Sequence, residues 1–126
     1  MSGSNQNIVE DYIRRYNLKD TEGMLALFSE DVVFESISSA TGIISVEGKE
    51  KFRLLISKTA EIFKVRRQTP LTLVLDRTTA AMESKYWCVL AMDLPDGKKE
   101  GEEVQFRGAS FFTFGDGLIV KMTEYL

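Results

Sequence analysis

The feature that most constrains this chain is a change of periodicity near its middle. Before Pro70, apolar side chains recur at helical spacing. The clearest stripe falls at i, i+3, i+4, i+7, i+8 and i+11 and consists of Phe52, Leu55, Ile56, Thr59, Ala60 and Phe63. After Pro70, residues 71–75 and 79–92 are rich in β-branched, aromatic and aliphatic residues and have no such stripe. The pattern predicts helices followed by strands, which is typical of an α+β domain.

Two further helices and one strand are predicted before this stripe. One side of the first helix consists of Ile8, Val9, Tyr12, Ile13 and Tyr16. A second, shorter helix is predicted to begin at Asp20 or Thr21 and to end at residues 29–31. A short strand at residues 32–36 and a loop rich in Ser, Thr and Gly then lead into the third helix.

The second half of the chain predicts an antiparallel sheet. The turn sequence Gly115-Asp116-Gly117 joins predicted strands at residues 104–114 and 118–125 as a tight hairpin. With 126 residues, 44% of them hydrophobic, and no repeat or linker, we expect residues 1–126 to form one domain. Helices would then cover one face of a curved, mostly antiparallel sheet, with one early strand at its edge, and enclose a mainly apolar pocket.

Composition argues against several classes of partner. The net charge is −3 and both signs are spread along the chain, so neither nucleic acid nor an anionic membrane is an expected partner. The basic run Lys64-Val65-Arg66-Arg67 is interpreted as a solvated connection between a helix and a strand. Residues 1–7 do not resemble a secretion signal, and Cys88 has no second cysteine to pair with. We therefore expect a soluble, cytoplasmic protein.

Metal and cofactor chemistry is not expected either. The chain has no His, one Cys and no carboxylate spacing suited to zinc or calcium. It contains neither a P-loop nor a G-x-G-x-x-G sequence, and without His it cannot build a Ser-His-Asp or Cys-His arrangement. The prediction is a protein without metal or cofactor.

Several segments resemble one known superfamily in order and spacing. They are residues 12–16, residues 20–35, the Gly48 opening of the third helix, and residues 106–108 through 114–120. In these segments the chain resembles the NTF2-like superfamily and, within it, the SnoaL-like and ketosteroid-isomerase-like proteins. The resemblance implies an NTF2-like cone with three N-terminal helices. It implies no single chemistry, because the group includes isomerases, polyketide cyclases, epoxide hydrolases, dehydratases and binding modules.

Only part of the catalytic site of ketosteroid isomerases has a counterpart in this sequence. Ketosteroid isomerases combine a carboxylate base with a tyrosine and a protonated aspartic acid that donate hydrogen bonds to an oxyanion. The resemblance assigns the tyrosine role to Tyr12, but it assigns the base to Ser36 and the second acid to Ser110. With no His in the chain to deprotonate it, a serine cannot replace the carboxylate base at neutral pH.

Glu124 is the better candidate for an acid or base. It alternates with Lys121, Thr123 and Tyr125 along the last strand, and so shares a face with Met122 and Leu126, which resemble pocket-lining positions of the family. Desolvation among apolar side chains raises the pKa of a carboxyl group toward neutral pH. The alternative is a surface or interface glutamate. Glu35, beside Ser36, is expected to point away from the pocket.

We predict a ligand-binding set around the catalytic pair Glu124 and Tyr12, consisting of Tyr16, Ser36, Phe52, Glu83, Trp87, Ser110 and Met122. Some of these have a simpler interpretation. Tyr12 and Tyr16 lie four residues apart on one helix and could both be core aromatics. Glu83 and Trp87 share a strand face that could be the outer one.

The strands are apolar on both faces, although helices can cover only one, so we expect a homodimer through the sheet. Three functions are compatible with these predictions. The first is a cofactor-independent SnoaL-like enzyme acting on a small hydrophobic carbonyl compound. The second is a noncatalytic module that binds an apolar ligand. The third is a structural or partner-binding domain whose cavity is filled by large side chains such as Phe34, Phe52, Phe63 and Trp87.

Overall fold

A computed structural model describes residues 2–39 and 42–126, with side chains from Asn5 onward. Over these residues the chain forms three helices and six strands. In chain order they are α1 (Ser2–Asn17), α2 (Thr21–Leu25), β1 (Phe28–Ser38), β2 (Gly42–Glu47), α3 (Lys49–Glu61), β3 (Phe63–Leu75), β4 (Thr79–Leu90), β5 (Glu103–Gly115) and β6 (Leu118–Tyr125).

The six described strands form one curved, mixed sheet in the order β2-β1-β6-β5-β4-β3. The β1–β6 pair is parallel, and the other four pairs are antiparallel. The α+β class is confirmed. Three helices are found, but two strands, β1 and β2, lie between α2 and α3, where only one strand was predicted.

The terminal hairpin forms as predicted. Gly115 pairs with Leu118, and Asp116 and Gly117 between them both adopt positive φ, of 52° and 78°. Positive φ at both loop residues is what a tight hairpin turn requires, and Gly tolerates it without strain. The turn sets the pairing of Phe114 with Ile119, and a register shift between Phe114 and Thr113 then brings Glu124 opposite Ser110.

Three local predictions are wrong. Residues 29–31 belong to β1 rather than to a helix end, because Asp20 caps only a short α2 and Phe28 is already fully buried in the strand. Residues 42–47 form β2, not a loop, and β2 rather than β1 lies at the edge of the sheet. Lys64-Val65-Arg66-Arg67 lies within β3, which begins at Phe63.

The core lies between the helices and one face of the sheet. Strand β4 shows the alternation most simply, because its even-numbered residues from Ala80 to Leu90 are buried and its odd-numbered ones are exposed or half-buried. Helix α1 packs on β3, while α3 packs on β1 and β2. Among the described residues, no helix is both long and apolar enough to cross a membrane.

Candidate functional site

A cavity of about 390 Å³ lies between the helices and the inner face of the sheet. Its walls are mainly apolar. The apolar and aromatic lining residues are Tyr12, Tyr16, Met24, Phe34, Ile44, Phe52, Leu55, Ile56, Ile62, Phe63, Tyr86, Phe106 and Leu126. The polar and charged ones are Ser36, Ser38, Thr59, Arg66 and Glu124. The chemistry of the cavity therefore depends on a few polar groups in an apolar surrounding.

Glu124 enters the cavity from β6, which is flanked by β1 and β5. Its register partners are Ser36 on β1 and Ser110 on β5. Paired residues of neighbouring strands project from the same face, so the carboxylate is set in a row between two serines. The facing of Glu124 thus agrees with the alternation along the last strand.

The environment of Glu124 changes its acidity. Burial raises the pKa of this carboxyl to about 7, while a hydrogen bond with Ser36 and the positive charge of Arg66 oppose the rise. The cavity leaves the side chain partly accessible, but protein atoms surround it, and this enclosure disfavours the ionised form. Near neutral pH both protonation states are therefore populated, as a general acid or base requires.

Tyr12 reaches the same cavity from α1. Its ring is buried, with edge contacts to Phe28 and Phe112 at centroid distances of 5.9 and 5.7 Å. Burial first, and then the negative charge of Glu124, hold the pKa of Tyr12 well above its usual value. The phenol therefore stays protonated at neutral pH and can act only as a neutral hydrogen-bond donor or acceptor.

Tyr16 lies one helical turn after Tyr12, with 6.2 Å between the two ring centroids. Burial raises the pKa of Tyr16 to about 12, against the influence of Arg66. The Arg66 guanidinium carbon lies 3.9 Å from the centre of the Tyr16 ring, which is a cation–π contact. Tyr16 thus serves as the support for a buried cation.

Arg66 is the important cavity residue that the sequence interpretation missed. It is only 4% exposed, and its Nε donates a hydrogen bond of 2.8 Å to the Tyr16 carbonyl oxygen. Its Nη2 lies 3.7 Å from the Met24 sulfur. Alternation counted from Phe63, which lines the cavity, would place Arg66 on the opposite face of β3. A register shift between Phe63 and Val65 instead turns Arg66 and Gln68 to the covered face, and no pattern in the sequence marks that shift.

A buried polar network supports the wall next to Arg66. The hydroxyls of Ser84 and Tyr86 both donate to Gln68 Oε1, at 3.1 and 3.2 Å. The Gln68 backbone N–H donates to Asn17 Oδ1 at 2.7 Å, which ties β3 to the end of α1. This network holds the Tyr86 ring against the cavity.

The sequence relates this site to known proteins. The SnoaL-like domain family matches residues 9–122. The chain belongs to that family. This confirms the resemblance on which the assignment of Tyr12, Ser36 and Ser110 rested.

Solved structures with this SnoaL-like fold include three informative ones. A predicted polyketide cyclase from Xanthomonas campestris has a TM-score of 0.85 and 20% identity, covering 99% of this chain and 91% of its own. A predicted polyketide cyclase from a Silicibacter species has a TM-score of 0.77 and 27% identity, covering 99% and 89%. An LEH-like epoxide hydrolase from Mycobacterium tuberculosis has a TM-score of 0.77 and 16% identity, covering 98% and 83%. No curated protein matches the sequence at a significant level.

The SnoaL-like cavity gathers Tyr12, Tyr16, Ser36, Phe52 and Glu124, but not all of the predicted set. Met122 and Ser110 face inward from β6 and β5 yet are fully buried in the core and do not line the cavity. The Ser110 hydroxyl makes no hydrogen bond of acceptable geometry within residues 2–39 and 42–126. It does lie close enough to Tyr86 to lower the pKa of that phenol, which burial raises more strongly.

The placement of Glu83 and Trp87 in the pocket is wrong. Both are odd-numbered residues of β4 and project from the outer face, whereas Ser84 and Tyr86 project inward. Glu83 lies 3.6 Å from Arg107, and the Trp87 indole N–H donates to Glu103 at 3.1 Å. Both faces of β4 carry apolar residues, so composition alone could not choose between them.

Glu35 lies on the outer face, where it accepts a hydrogen bond of 3.2 Å from the Thr123 hydroxyl. No group of three or more His, Cys, Asp or Glu within the described ranges is arranged to hold a metal ion. The polar groups assembled in this SnoaL-like cavity are thus one carboxylate, one guanidinium, phenols and hydroxyls.

Proposed function

We propose that this protein is a cofactor-independent SnoaL-like enzyme that moves a proton on a small hydrophobic carbonyl compound, with Glu124 as the acid and base. The observation that supports this most is the enclosure of Glu124 in a mainly apolar cavity, which raises its pKa to about 7. A surface carboxylate would be almost fully ionised at neutral pH and a poor general acid.

In the proposed reaction the Glu124 carboxylate removes a proton from the carbon next to the substrate carbonyl. The electron pair of the broken C–H bond moves to the carbonyl oxygen, which becomes an enolate. The Tyr12 hydroxyl donates a hydrogen bond to this oxygen, and because Tyr12 does not ionise, it stabilises the charge without transferring its proton. Protonated Glu124 then returns the proton to a carbon of the product.

The two serines have auxiliary roles in this scheme. Ser36 takes the register position beside Glu124 and hydrogen-bonds its carboxyl, which keeps the pKa from rising further. Ser110 takes the other register position but only packs beneath the cavity. The carboxylate that isomerases carry at the Ser36 position is thus replaced in function by Glu124 on the neighbouring strand.

The comparisons support an enzyme of this general type. The Silicibacter protein, at 27% identity, is a predicted polyketide cyclase, which is an enzyme. The Xanthomonas and Mycobacterium proteins share less than 25% identity with this chain, so they support the fold alone.

The second candidate function is noncatalytic binding of an apolar ligand. It is favoured by Ser36 and Ser110, because both stand where isomerases carry acids. The third, a structural domain with a filled core, is disfavoured by the cavity itself: Phe34, Phe52 and Phe63 line it without closing it, and Trp87 lies outside.

Proton exchange distinguishes the enzyme from the binding module. Small bicyclic ketones such as 2-tetralone, incubated in D₂O, should exchange their α-protons faster with the protein than in buffer, as measured by NMR. Glu124→Gln should lower this rate by roughly 10²–10⁴-fold, the usual contribution of general acid–base catalysis. Glu35→Gln, on the outer face, should leave it unchanged. Equal rates in the wild type and Glu124→Gln would contradict the proposal.

We also propose that two copies of the chain associate through the outer face of the sheet. Phe111 and Tyr125 are 47% and 46% exposed there and contact each other edge to face, with 5.8 Å between their centroids. The flanking pairs Arg107–Glu83 and Lys121–Glu35 supply both charge signs, which two copies related by a twofold axis need if opposite charges are to meet.

The oligomeric state tests this proposal. Analytical ultracentrifugation should show a dimer for the wild type and a folded monomer for Phe111→Glu, because a charge at the centre of an apolar interface is costly to bury. A monomeric wild type would contradict it.

A further inference from the structure

Arg66 is a buried cation without a negative partner in direct contact. Its neighbours are a backbone carbonyl, a thioether sulfur and the face of an aromatic ring. In the described ranges, no carboxylate lies within ion-pair distance of it, although ten other ion pairs are found. A buried guanidinium normally has a carboxylate or phosphate partner, because its desolvation is costly otherwise.

The Arg66 guanidinium has N–H donors that are not used by the contacts above, and it faces the cavity. Of its five N–H donors, the Tyr16 carbonyl and the Met24 sulfur occupy one each. Within the described part of the chain, Arg66 is also the only Lys or Arg that lines the cavity. The donors left over are therefore available to a molecule inside the cavity and to little else.

We infer that the ligand of this cavity carries a carboxylate, which binds to Arg66, together with an apolar body that packs against the aromatic walls. This inference names a substrate class for the proposed enzyme, but it rests on that proposal only in using the same cavity. A carboxylate matches the planar, forked donors of a guanidinium better than any other small anion except phosphate.

A carboxylate suits the site better than a phosphate does. One guanidinium offsets one negative charge, whereas a phosphate monoester carries about two at neutral pH. Among the described lining residues there is no second cation, so the excess charge of a phosphate would be buried in a mainly apolar surrounding.

Glu124 influences Arg66 without neutralising it by direct contact. Arg66 lowers the pKa of Glu124, so the two groups interact across the cavity, but they do not form a contact ion pair. A ligand carboxylate on Arg66 would remove this influence and add a like charge. Both changes favour the protonated form of Glu124, so ligand binding and protonation of Glu124 assist each other.

The other groups facing Arg66 and Glu124 do not titrate near neutral pH. Tyr12 and Tyr16 on α1, and Tyr86 and the Arg66 register partner Cys88 on β4, all have raised pKa values and remain neutral. The lining residues of α3 are the nonionisable Phe52, Leu55, Ile56 and Thr59. Carboxylate affinity should therefore fall as the pH rises through the pKa of Glu124, and this fall should be lost in Glu124→Gln.

A matched pair of fluorescent ligands tests the inference: 2-naphthoate, which is a carboxylate, and 2-naphthamide, which is its neutral counterpart of nearly the same shape. In a fluorescence titration at pH 6, the wild-type protein should bind 2-naphthoate at least tenfold more tightly than 2-naphthamide. Equal affinities, or tighter binding of the amide, would overturn the inference, as would failure of 2-naphthoate to bind.

Variants of Arg66 test whether the preference for the carboxylate depends on this residue. Arg66→Met retains apolar bulk and should lose the tenfold preference, whereas Arg66→Lys retains the charge without the fork and should keep part of it. A preference that persists in folded Arg66→Met would overturn the assignment to this residue. If Arg66→Met does not fold, the Arg66 Nη–H resonances of the wild type decide by NMR, because the Nε–H already donates to Tyr16. They should shift more with 2-naphthoate than with the amide, and equal shifts would refute the inference.

Failure of this inference would not resemble failure of the proposed enzyme. Loss of the carboxylate preference leaves α-proton exchange of neutral ketones by Glu124 intact. Conversely, a protein that binds 2-naphthoate through Arg66 but exchanges no α-proton would be a binding module for hydrophobic acids.

Discussion

Glu124 and Glu35 are two carboxylates on neighbouring, paired strands, and they differ in almost every physical respect. Glu124 pairs in register with Ser36, and Glu35 pairs with Thr123, so the two glutamates occupy register positions that differ by one residue. That single residue places Glu124 inside the cavity and Glu35 on the outer face. The period of two along a strand thus determines which carboxylate can perform chemistry.

The helices account for the rest of the difference. They cover the inner face only, so burial raises the pKa of Glu124 to about 7. On the outer face Glu35 hydrogen-bonds Thr123 and lies 3.9 Å from Lys121, both partly in contact with solvent. Sheet position alone does not tune a carboxylate; enclosure by apolar side chains does.

The pH dependence of stability should show the largest contrast between the two faces. The native pKa of Glu124, about 7, exceeds its ordinary value of 4.5, so its proton stabilises the native state below pH 4.5. That stability is lost as the pH rises through 7, by up to about 3 kcal/mol at 1.36 kcal/mol per pKa unit. Urea unfolding from pH 4.5 to 8.5 should show this loss in the wild type and Glu35→Gln, relative to Glu124→Gln. Parallel curves for all three proteins would contradict the desolvation of Glu124.

Two tyrosines give a second contrast. Tyr12 faces the cavity, and Tyr125 is 46% exposed on the outer face. Tyr12→Phe should lower the rate of α-proton exchange by roughly tenfold to a hundredfold, because an enolate loses a hydrogen-bond donor. Tyr125→Phe should have no effect on the rate. If the two variants behave alike in the NMR exchange assay, the proposed role of Tyr12 is wrong.

The two serines that flank Glu124 on the inner face should differ in their effect on its pKa. Ser36→Ala removes a hydrogen bond to the carboxyl and should raise the pKa of Glu124 further, by roughly half to one unit. Ser110→Ala should leave that pKa unchanged. Carboxyl ¹³C NMR titration measures both, and an equal shift in the two variants would mean that strand position, not the Ser36 hydrogen bond, controls the acidity.

The smallest effect is expected for the stability of Ser110→Ala. Its buried hydroxyl has no geometrically acceptable partner in the described part of the chain, so its removal should be neutral or stabilise by a few tenths of a kcal/mol. Ser84→Ala is the matched control, since Ser84 donates to Gln68 at 3.1 Å and its loss should cost about 1 kcal/mol. Thermal unfolding compares them, and equal destabilisation would show that Ser110 has a partner after all.

The facing of Glu124 could be predicted because local signals agreed. Residues 121–126 alternate regularly to the end of the strand, and this alternation gives the facing. The turn does not, because a register shift between Thr113 and Phe114 separates it from Glu124. The family resemblance pointed to the same face. Helices α1 and α3 were equally predictable, because their apolar stripes are long and regular.

Other parts of the fold could not be predicted for identifiable reasons. Strand β2 exposes Ile43 and Ile44 at a sheet edge, so no burial alternation marks it as a strand. Arg66 was hidden in a run of basic residues, whose usual position is in solvent. Trp87 was predicted to line the pocket, but both faces of β4 carry large side chains, so the sequence did not show which face is covered.

The most direct test of the account is the pKa of Glu124 in the wild-type protein. Selective ¹³C labelling of glutamate, with the resonance assigned by its disappearance in Glu124→Gln, allows this carboxyl to be titrated by NMR. The account predicts a midpoint of about 7. A midpoint near 4.5, the ordinary value for a glutamate, would mean that water reaches the carboxylate freely, and it would contradict the role of Glu124 as acid and base.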